Sequence, residues 1–206
     1  IDEAWEAMSG VEPILEGVID FKRELSLVAV RGTDGSLKYY PLAENSHHEG
    51  ILRLTVAPAQ EISESLQKKA ESYMISLLTE INHVGVLTLE LFDSDDELIV
   101  NEIAPRVHNS GHWTIEGAQT SQFENHIRAI TNSPLGDTSI KSQFNAMINI
   151  IGKYGPTNKV LETRNAHLHL YDKKERKNRK LGHITITSDS YEELQNSIDN
   201  LSNYLP

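Results

Sequence analysis

Residues 84–103 read VGVLTLELFDSDDELIVNEI and carry the clearest indication of the fold. Two apolar runs, residues 84–92 and 98–103, flank a polar segment at residues 93–97. Apolar runs separated by a short polar segment are typical of a β-hairpin. The strands of a hairpin run antiparallel, so this stretch predicts an antiparallel sheet.

Similar patterns elsewhere predict the rest of the fold. Further strands are predicted at residues 24–30, 37–42, 51–56, 144–151, 166–171 and 181–187. Helical spacing predicts four helices that begin near residues 1, 62, 121 and 190, the first of them ending near Gly10. The fold class is therefore α+β, with helices packed on a mostly antiparallel sheet.

A domain boundary is predicted in the turn-rich segment TNSPLGD, residues 131–137. It divides the chain into a larger first domain, residues 1–135, and a small C-terminal α+β subdomain, residues 136–206.

Composition narrows the class of function. The 206 residues carry 19 Lys and Arg against 30 Asp and Glu, a formal net charge of −11. Such a surface repels phosphate, so nucleic acid and anionic membranes are not expected partners. The chain has no Cys and no apolar run near the roughly 18 residues of a membrane span. These features lead us to expect a cytoplasmic protein.

Glu90 and Glu102 form the first candidate site. They are symmetric about Asp96, so a hairpin centred there places them opposite each other, on one face. Facing like charges are destabilising, but a hard cation bound between them makes the arrangement favourable. Mg²⁺ prefers one or two carboxylates together with nucleotide phosphates. The alternative is a different register that leaves both carboxylates solvated.

Polar side chains are concentrated directly after this hairpin, in NEIAPRVHNSGHWT at residues 101–114. Arg106 is suited to binding a carboxylate or phosphate, and His108 and His112 to donating hydrogen bonds or exchanging protons. The spacing of the two histidines also resembles a zinc pair, but that needs a helix, which Asn109, Ser110 and Gly111 disfavour. A loop held only by hydrogen bonds is the plainer alternative.

Residues 101–114, with Glu90 before them, resemble the ATP-grasp enzymes, and among them the branch that carboxylates 5-aminoimidazole ribonucleotide. The resemblance runs from about Ile14 to the end of the chain. It includes residues 16–19 (EGVI), Glu24, His47, residues 50–58, residues 167–173 and residues 179–183.

The resemblance implies an ATP-dependent carbon–nitrogen ligase of purine biosynthesis, with bicarbonate as the carboxyl donor and phosphate and ADP as products. It implies ATP with Mg²⁺, or alternatively Mn²⁺, and a homodimer. The implied nucleotide contacts are Glu16, Gly17, Val18, Ile19, Glu24, His47, Asn101 and Glu102, and the implied metal ligands are Glu90 and Glu102. The implied catalytic residues are Arg106, His108 and Lys180, and the implied substrate contacts are Arg106, Asn109, Ser110, Arg176, Arg179 and Lys180.

The chain departs from the family pattern in two respects. Many ATP-grasp proteins carry Asn where this chain has Ala104, so the metal site is expected to rely on the two glutamates and phosphate oxygens. The family's N-terminal domain and glycine-rich lid have no counterpart in these residues. We therefore expect the chain to correspond to the C-terminal portion, with half a site and no activity alone.

Other functions remain open at this point. One is a noncatalytic nucleotide-binding module, and another is a zinc-dependent hydrolase built on the histidines. Within the superfamily the rival is the formate-dependent glycinamide ribonucleotide transformylase, which residues 109–113 (NSGHW) disfavour. His167 and His169 share a strand face, but hydrogen bonding within the sheet is expected rather than a metal pair.

Six of the eight residues 173–180 are Lys or Arg, in an otherwise acidic chain. A solvated hairpin tip is the expectation for most of them, since no interleaved aromatic residue supports nucleic-acid binding. The resemblance singles out Arg176, Arg179 and Lys180 as substrate contacts.

Overall fold

The computed structural model describes residues 2–8, 12, 14–94 and 97–205. The strands are β1 (Arg23–Arg31), β2 (Leu37–Tyr39), β3 (Ala43–His48), β4 (Ile51–Ala57), β5 (Gly85–Ser94), β6 (Glu97–Ala104), β7 (Phe144–Ile151), β8 (Ala166–Leu170) and β9 (Lys180–Ser188). The helices are α1 (Asp2–Ala7), α2 (Glu64–Glu80), α3 (Thr114–Gly117), α4 (Gln122–Ile130), α5 (Thr157–Glu162) and α6 (Tyr191–Asn200). Two 3₁₀ turns span Asn109–Gly111 and Ser202–Tyr204.

The nine strands form one sheet in the order β6-β5-β1-β3-β4-β7-β9-β8, with β2 paired to β1. The pairings are antiparallel, which confirms the predicted α+β class. Strand β4 pairs with β7, so the sheet continues across the segment where the domain boundary is predicted.

Apolar side chains divide between the two faces of the sheet. On one face, α2 buries Leu66 and Met74 against β1 and β5, and α6 buries Leu194 and Ile198 against β7 and β9. On the opposite face, Trp113 packs with residues that include Tyr40, Val28 and Met147. No helix in the described part of the chain combines the length and apolarity needed to cross a bilayer.

Serine side chains set where three helices begin. Ser63 Oγ accepts a hydrogen bond from Leu66 N at 3.1 Å, so α2 begins at Glu64, two residues after the predicted start. Ser121 caps α4 and Ser190 caps α6 in the same way, which confirms the two later helix starts.

Several elements differ from the sequence prediction. The strand predicted over residues 37–42 ends at Tyr39, and Pro41, which has no N–H for a ladder, follows shortly after it. Strand β3 was not predicted because its sequence, AENSHH, shows no apolar alternation, and the helices α3 and α5 were not predicted because each is too short for a clear apolar period. Gly10, the predicted end of the first helix, lies outside the described residues.

Candidate functional site

Glu90 on β5 and Glu102 on β6 are paired across the hairpin, as predicted, but for a different reason. Ser94 pairs with Glu97, so the hairpin is not symmetric about Asp96. A regular ladder continued from that pairing would place Asn101 opposite Glu90. A bulge between Leu91 and Glu90 takes up Asn101 as an extra residue and restores the pairing of the two glutamates.

The two carboxylates differ in exposure. The Glu90 side chain is only 13% exposed, whereas Glu102 is exposed. Burial raises the pKa of Glu90, and the nearby charges of Glu102 and Glu24 add to the rise, while His47 and Lys180 oppose it. The paired glutamates therefore form a site that a cation would stabilise.

His108 follows β6 and turns its ring toward Glu90. Its Nε2 lies 3.4 Å from Glu90 Oε1. Its Nδ1 accepts a hydrogen bond from Ser110 N at 3.4 Å and lies 2.9 Å from Ser110 Oγ. Burial, with Arg106 and Lys180 nearby, lowers the pKa of His108 to about 4. A neutral ring with an accepting Nδ1 carries its proton on Nε2, so His108 presents an N–H toward the carboxylate.

Buried amides hold the loop that carries His108. Gln122 Oε1 accepts from His108 N at 3.0 Å, and Gln122 Nε2 donates to His108 O at 2.6 Å and lies 3.1 Å from His112 Nδ1. Asn109 and Asn149 exchange two hydrogen bonds, at 3.0 and 2.6 Å, and Asn149 also donates to Leu52 O. The loop is thereby tied to α4 and to the sheet.

These buried amides escaped sequence analysis. Asn149 interrupts the apolar strand β7 and Gln122 is the first residue of α4. Two asparagines interrupt this apolar strand, and this signal points to Asn145 and Asn149 alike, because buried amides need partners. Nothing in the local sequence distinguishes Gln122.

Two predicted cationic groups, Lys180 and Arg106, lie near Glu90 or near His108. Lys180, at the start of β9, is partly buried, and burial lowers its pKa while the charge of Glu90 raises it. Arg106 is exposed, donates to Val107 O at 3.0 Å, and is near enough to lower the pKa values of Lys180 and His108. His108 and Lys180 therefore lie beside Glu90, and Arg106 lies near both of them.

A second contact between a histidine and a glutamate lies on the neighbouring strands β1 and β3. His47 Nδ1 is 2.6 Å from Glu24 Oε2, and both side chains are largely buried. Because the charges of both residues act on Glu90, this pair belongs to the same polar face of the sheet.

Other predicted site residues lie apart from this cluster. Glu16, Gly17 and Val18 are exposed in a stretch without regular structure, and Ile19 is partly buried. In the basic loop, residues 173–180, Arg176 is exposed, and the Arg179 side chain donates a 3.5 Å hydrogen bond to Lys174 O. Lys180 is the member of the loop that the structure brings to Glu90.

The remaining histidines form no metal cluster among the described residues. His167 is exposed, while His169 Nε2 contacts Glu116 Oε1 at 2.8 Å, so the expected hydrogen bonding within the sheet is wrong for His169. The His183 ring stacks on His169 at 4.3 Å, and its Nδ1 lies 2.7 Å from the Tyr171 hydroxyl. Burial lowers the pKa of His183 to about 2, so the ring stays neutral.

Comparisons with known proteins give this geometry a context. Residues 1–123 match the ATP-grasp domain model, and residues 145–197 match that of the phosphoribosylaminoimidazole carboxylase C-terminal domain. The N5-carboxyaminoimidazole ribonucleotide synthase of Pseudomonas aeruginosa is 48% identical over 186 residues, which cover 90% of this chain and 51% of that protein. The Escherichia coli protein of the same name is 43% identical, covering 95% of this chain and 54% of its own length.

Solved structures agree. The crystal structure of N5-carboxyaminoimidazole ribonucleotide synthetase from Thermus thermophilus has a TM-score of 0.94 and 52% identity, covering 98% of this chain and 56% of that one. The crystal structure of N5-carboxyaminoimidazole synthase from Aspergillus clavatus in complex with ADP and 5-aminoimidazole ribonucleotide has a TM-score of 0.83 and 34% identity. The match covers 89% of this chain and 52% of that one.

The chain thus spans about half the length of the curated relatives that it matches. The ATP-grasp model alone covers more than half of the chain, and it includes the hairpin of paired glutamates. By sequence and by fold, this chain belongs to the ATP-grasp family.

Proposed function

We propose that this chain is part of an ATP-dependent carbon–nitrogen ligase that carboxylates 5-aminoimidazole ribonucleotide with bicarbonate, in purine biosynthesis. The observation that carries the proposal is the pairing of Glu90 with Glu102 beside Arg106, His108 and Lys180. The similarity to the carboxyaminoimidazole ribonucleotide synthases supports the choice of substrates.

The carboxylate pair fits Mg²⁺. Two facing glutamates, one of them largely buried with a raised pKa, are unfavourable unless a cation compensates their charge. Glu90 and Glu102 would hold the ion, with Mn²⁺ as the alternative, and phosphate oxygens of ATP would complete its ligands. A bound ion supplies positive charge to the phosphoryl group during transfer.

The proposed reaction has two steps. A bicarbonate oxygen attacks the γ-phosphorus of ATP, and ADP leaves, which gives carboxyphosphate. The exocyclic amine then attacks the carboxyl carbon, phosphate leaves, and the amine loses a proton. Little covalent chemistry is asked of the protein in the first step, so positioning and charge stabilisation dominate.

The side chains around Glu90 have roles in these steps. Arg106 and Lys180 provide positive charge for the bicarbonate and the carboxyphosphate. Neutral His108 acts as a hydrogen-bond donor rather than as a base, because its pKa of about 4 leaves it uncharged and its proton lies on Nε2. Asn109 and Ser110 hold the loop in which Arg106 and His108 lie.

The remaining parts of the site rest on the resemblance. Residues 16–19 (Glu16, Gly17, Val18, Ile19) with Glu24, His47 and Asn101 would bind the nucleotide. We also propose a cytoplasmic homodimer and a division of the chain into residues 1–135 and 136–206. The two matched family models, residues 1–123 and 145–197, lie on either side of that division.

Substrate binding by the basic loop has its own test. Replacing Arg176 or Lys180 by Ala should raise the KM for the ribonucleotide about ten- to a hundredfold, since a charge-assisted hydrogen bond contributes roughly 1.5–3 kcal/mol. The KM for ATP should change little. Unchanged ribonucleotide kinetics in both variants would show that the loop is only a solvated turn.

An isotope experiment tests the reaction. The protein that carries this chain is incubated with ATP, 5-aminoimidazole ribonucleotide and bicarbonate labelled with ¹⁸O. We expect ADP release that depends on the ribonucleotide. We also expect the released phosphate to contain one ¹⁸O atom that comes from bicarbonate. Release of unlabelled phosphate would refute the proposed first step.

A further inference from the structure

A cavity of about 610 Å³ lies at the end of the sheet, between the β3–β4 turn and the tip of the basic loop. Its lining includes three cationic side chains, Arg53, Lys153 and Lys177, and one acidic side chain, Glu49. In a chain with a net charge of −11, this local excess of positive charge is unusual.

Arg53 enters the cavity because β4 is irregular at this residue. Ser46 pairs with Leu54 and His47 pairs with Leu52, so Arg53 is the extra residue of a β-bulge. Its Nε is buried and has no hydrogen-bond partner among the described residues. A guanidinium nitrogen removed from water without a partner is costly, which leaves a site for an anion.

Tyr204 supplies a second unpartnered group to the cavity wall. The residue is 7% exposed, and its hydroxyl has no hydrogen-bond partner within the described chain. The backbone of Gly155 lies so close to the ring that a Cβ there would be 2.8 Å from Tyr204 Cε1. The Gly155 backbone therefore limits movement of the Tyr204 ring, which carries the unpartnered hydroxyl.

The cavity is separate from the paired glutamates. Tyr204 packs with Ile148 and Ile150, on the face of the sheet that α6 covers. Asn149, which alternates with these two residues, points to the opposite face and binds Asn109. The basic loop contributes to both places, Lys180 near Glu90 and Lys177 at the cavity.

We propose that this cavity binds a phosphomonoester of a small metabolite, with its phosphate on Arg53 and the Tyr204 hydroxyl. Lys153 and Lys177 add charge at the rim, which favours a doubly charged phosphate over a single carboxylate. The volume exceeds that of phosphate alone and accommodates a sugar-sized group. The site is independent of the proposed function, because it uses none of the residues assigned to ATP, metal or ribonucleotide.

Titration calorimetry and ³¹P line broadening with inorganic phosphate and with ribose 5-phosphate test the site in this chain. Arg53→Gln removes the guanidinium, and Tyr204→Phe removes only a hydroxyl and keeps the packing. Lys38→Gln is the control that removes one positive charge from β2, away from the cavity. Arg179→Ala shows whether the ligands bind at the proposed substrate contacts of the basic loop rather than in the cavity.

We expect both ligands to bind, and Arg53→Gln to weaken binding about tenfold or more. Tyr204→Phe should weaken it several-fold, and the Lys38 and Arg179 variants should bind as the parent chain does. The proposal is overturned if neither ligand binds, if Arg53→Gln binds normally, or if only Arg179→Ala loses binding. Ribonucleotide-dependent ADP release is measured separately, so failure here leaves the proposed function untouched.

Discussion

At the scale of single residues, the site depends on histidines that burial keeps neutral. Burial lowers the pKa values of His108 and His112 to about 4 and that of His183 to about 2. Ser110 then fixes which nitrogen of His108 carries the proton. Burial and one serine thereby make His108 a hydrogen-bond donor rather than a proton carrier.

These shifts predict how stability depends on pH. In the unfolded chain the histidines titrate near pH 6.5, so below that pH the unfolded state binds more protons than the folded one. The free energy of unfolding should therefore fall as the pH drops from about 7 towards 4. Glu90 acts in the opposite sense, because burial raises its pKa, but this one carboxyl opposes four histidine rings, since burial also lowers the pKa of His126.

Chemical denaturation at a series of pH values measures this dependence. His183→Gln removes one buried titrating ring, so the slope against pH should become shallower between pH 6.5 and 5. The exposed His167, replaced by Gln, is the matched control and should leave the slope unchanged. An identical slope in the His183 variant would contradict the assignment.

The same residues show what sequence could and could not predict. Sequence pattern and resemblance identified five site residues, Glu90, Glu102, Arg106, His108 and Lys180. They could be identified because metal binding and phosphate binding require particular side-chain types. Their partners come from distant segments that only the fold brings close. Gln122 and Asn149 are ordinary polar residues in the sequence, and they matter because burial leaves them to bind the loop.

At the scale of elements, the β5–β6 hairpin shows that a correct pairing can follow from incorrect geometry. The sequence suggested an odd turn centred on Asp96, whereas the pairing of Ser94 with Glu97 and a bulge at Asn101 together bring Glu90 opposite Glu102. A bulge adds one residue without a compositional signal, so its position could not be predicted. Strand β3, with the polar sequence AENSHH, likewise carries no compositional signal of a strand.

The start of α4 provides a test at this scale. Gln122→Ala should lower the free energy of unfolding by about 2–4 kcal/mol, since three buried hydrogen bonds at roughly 1 kcal/mol each are lost. It should also lower kcat more than it raises KM, because His108 loses its support. Ser121→Ala, which removes the cap of the same helix, should cost about 1 kcal/mol with normal kcat.

Calorimetry and steady-state kinetics on the two variants separate these effects. Equal losses of kcat would mean that the helix start, and not the contact with the loop, matters to the site.

At the scale of the whole molecule, one sheet joins the two proposed domains. Leu54 pairs with Ile148 and Val56 pairs with Ala146, so β4 and β7 share a ladder across the proposed division at residues 135 and 136. The turn-rich composition of residues 131–137 marks a connection between strands of that sheet. Composition reports where regular structure stops, but not which strands pair beyond the interruption.

Unfolding should therefore be a single cooperative transition. Fluorescence of the buried Trp113 follows the face that carries the site, and far-ultraviolet circular dichroism follows the whole chain. We expect the two denaturation curves to coincide. Two separated transitions, with circular dichroism changing before fluorescence, would show that residues 136–206 unfold independently.

The central claim, that the paired glutamates hold the metal that ATP needs, has one direct measurement. Mg²⁺-dependent release of ADP is measured for the protein that carries this chain and for its Glu90→Gln and Glu102→Gln variants. We predict that each substitution abolishes turnover while thermal unfolding is unchanged or shifted upwards, since one of two facing charges is gone. Near-normal ADP release by both folded variants would contradict the account.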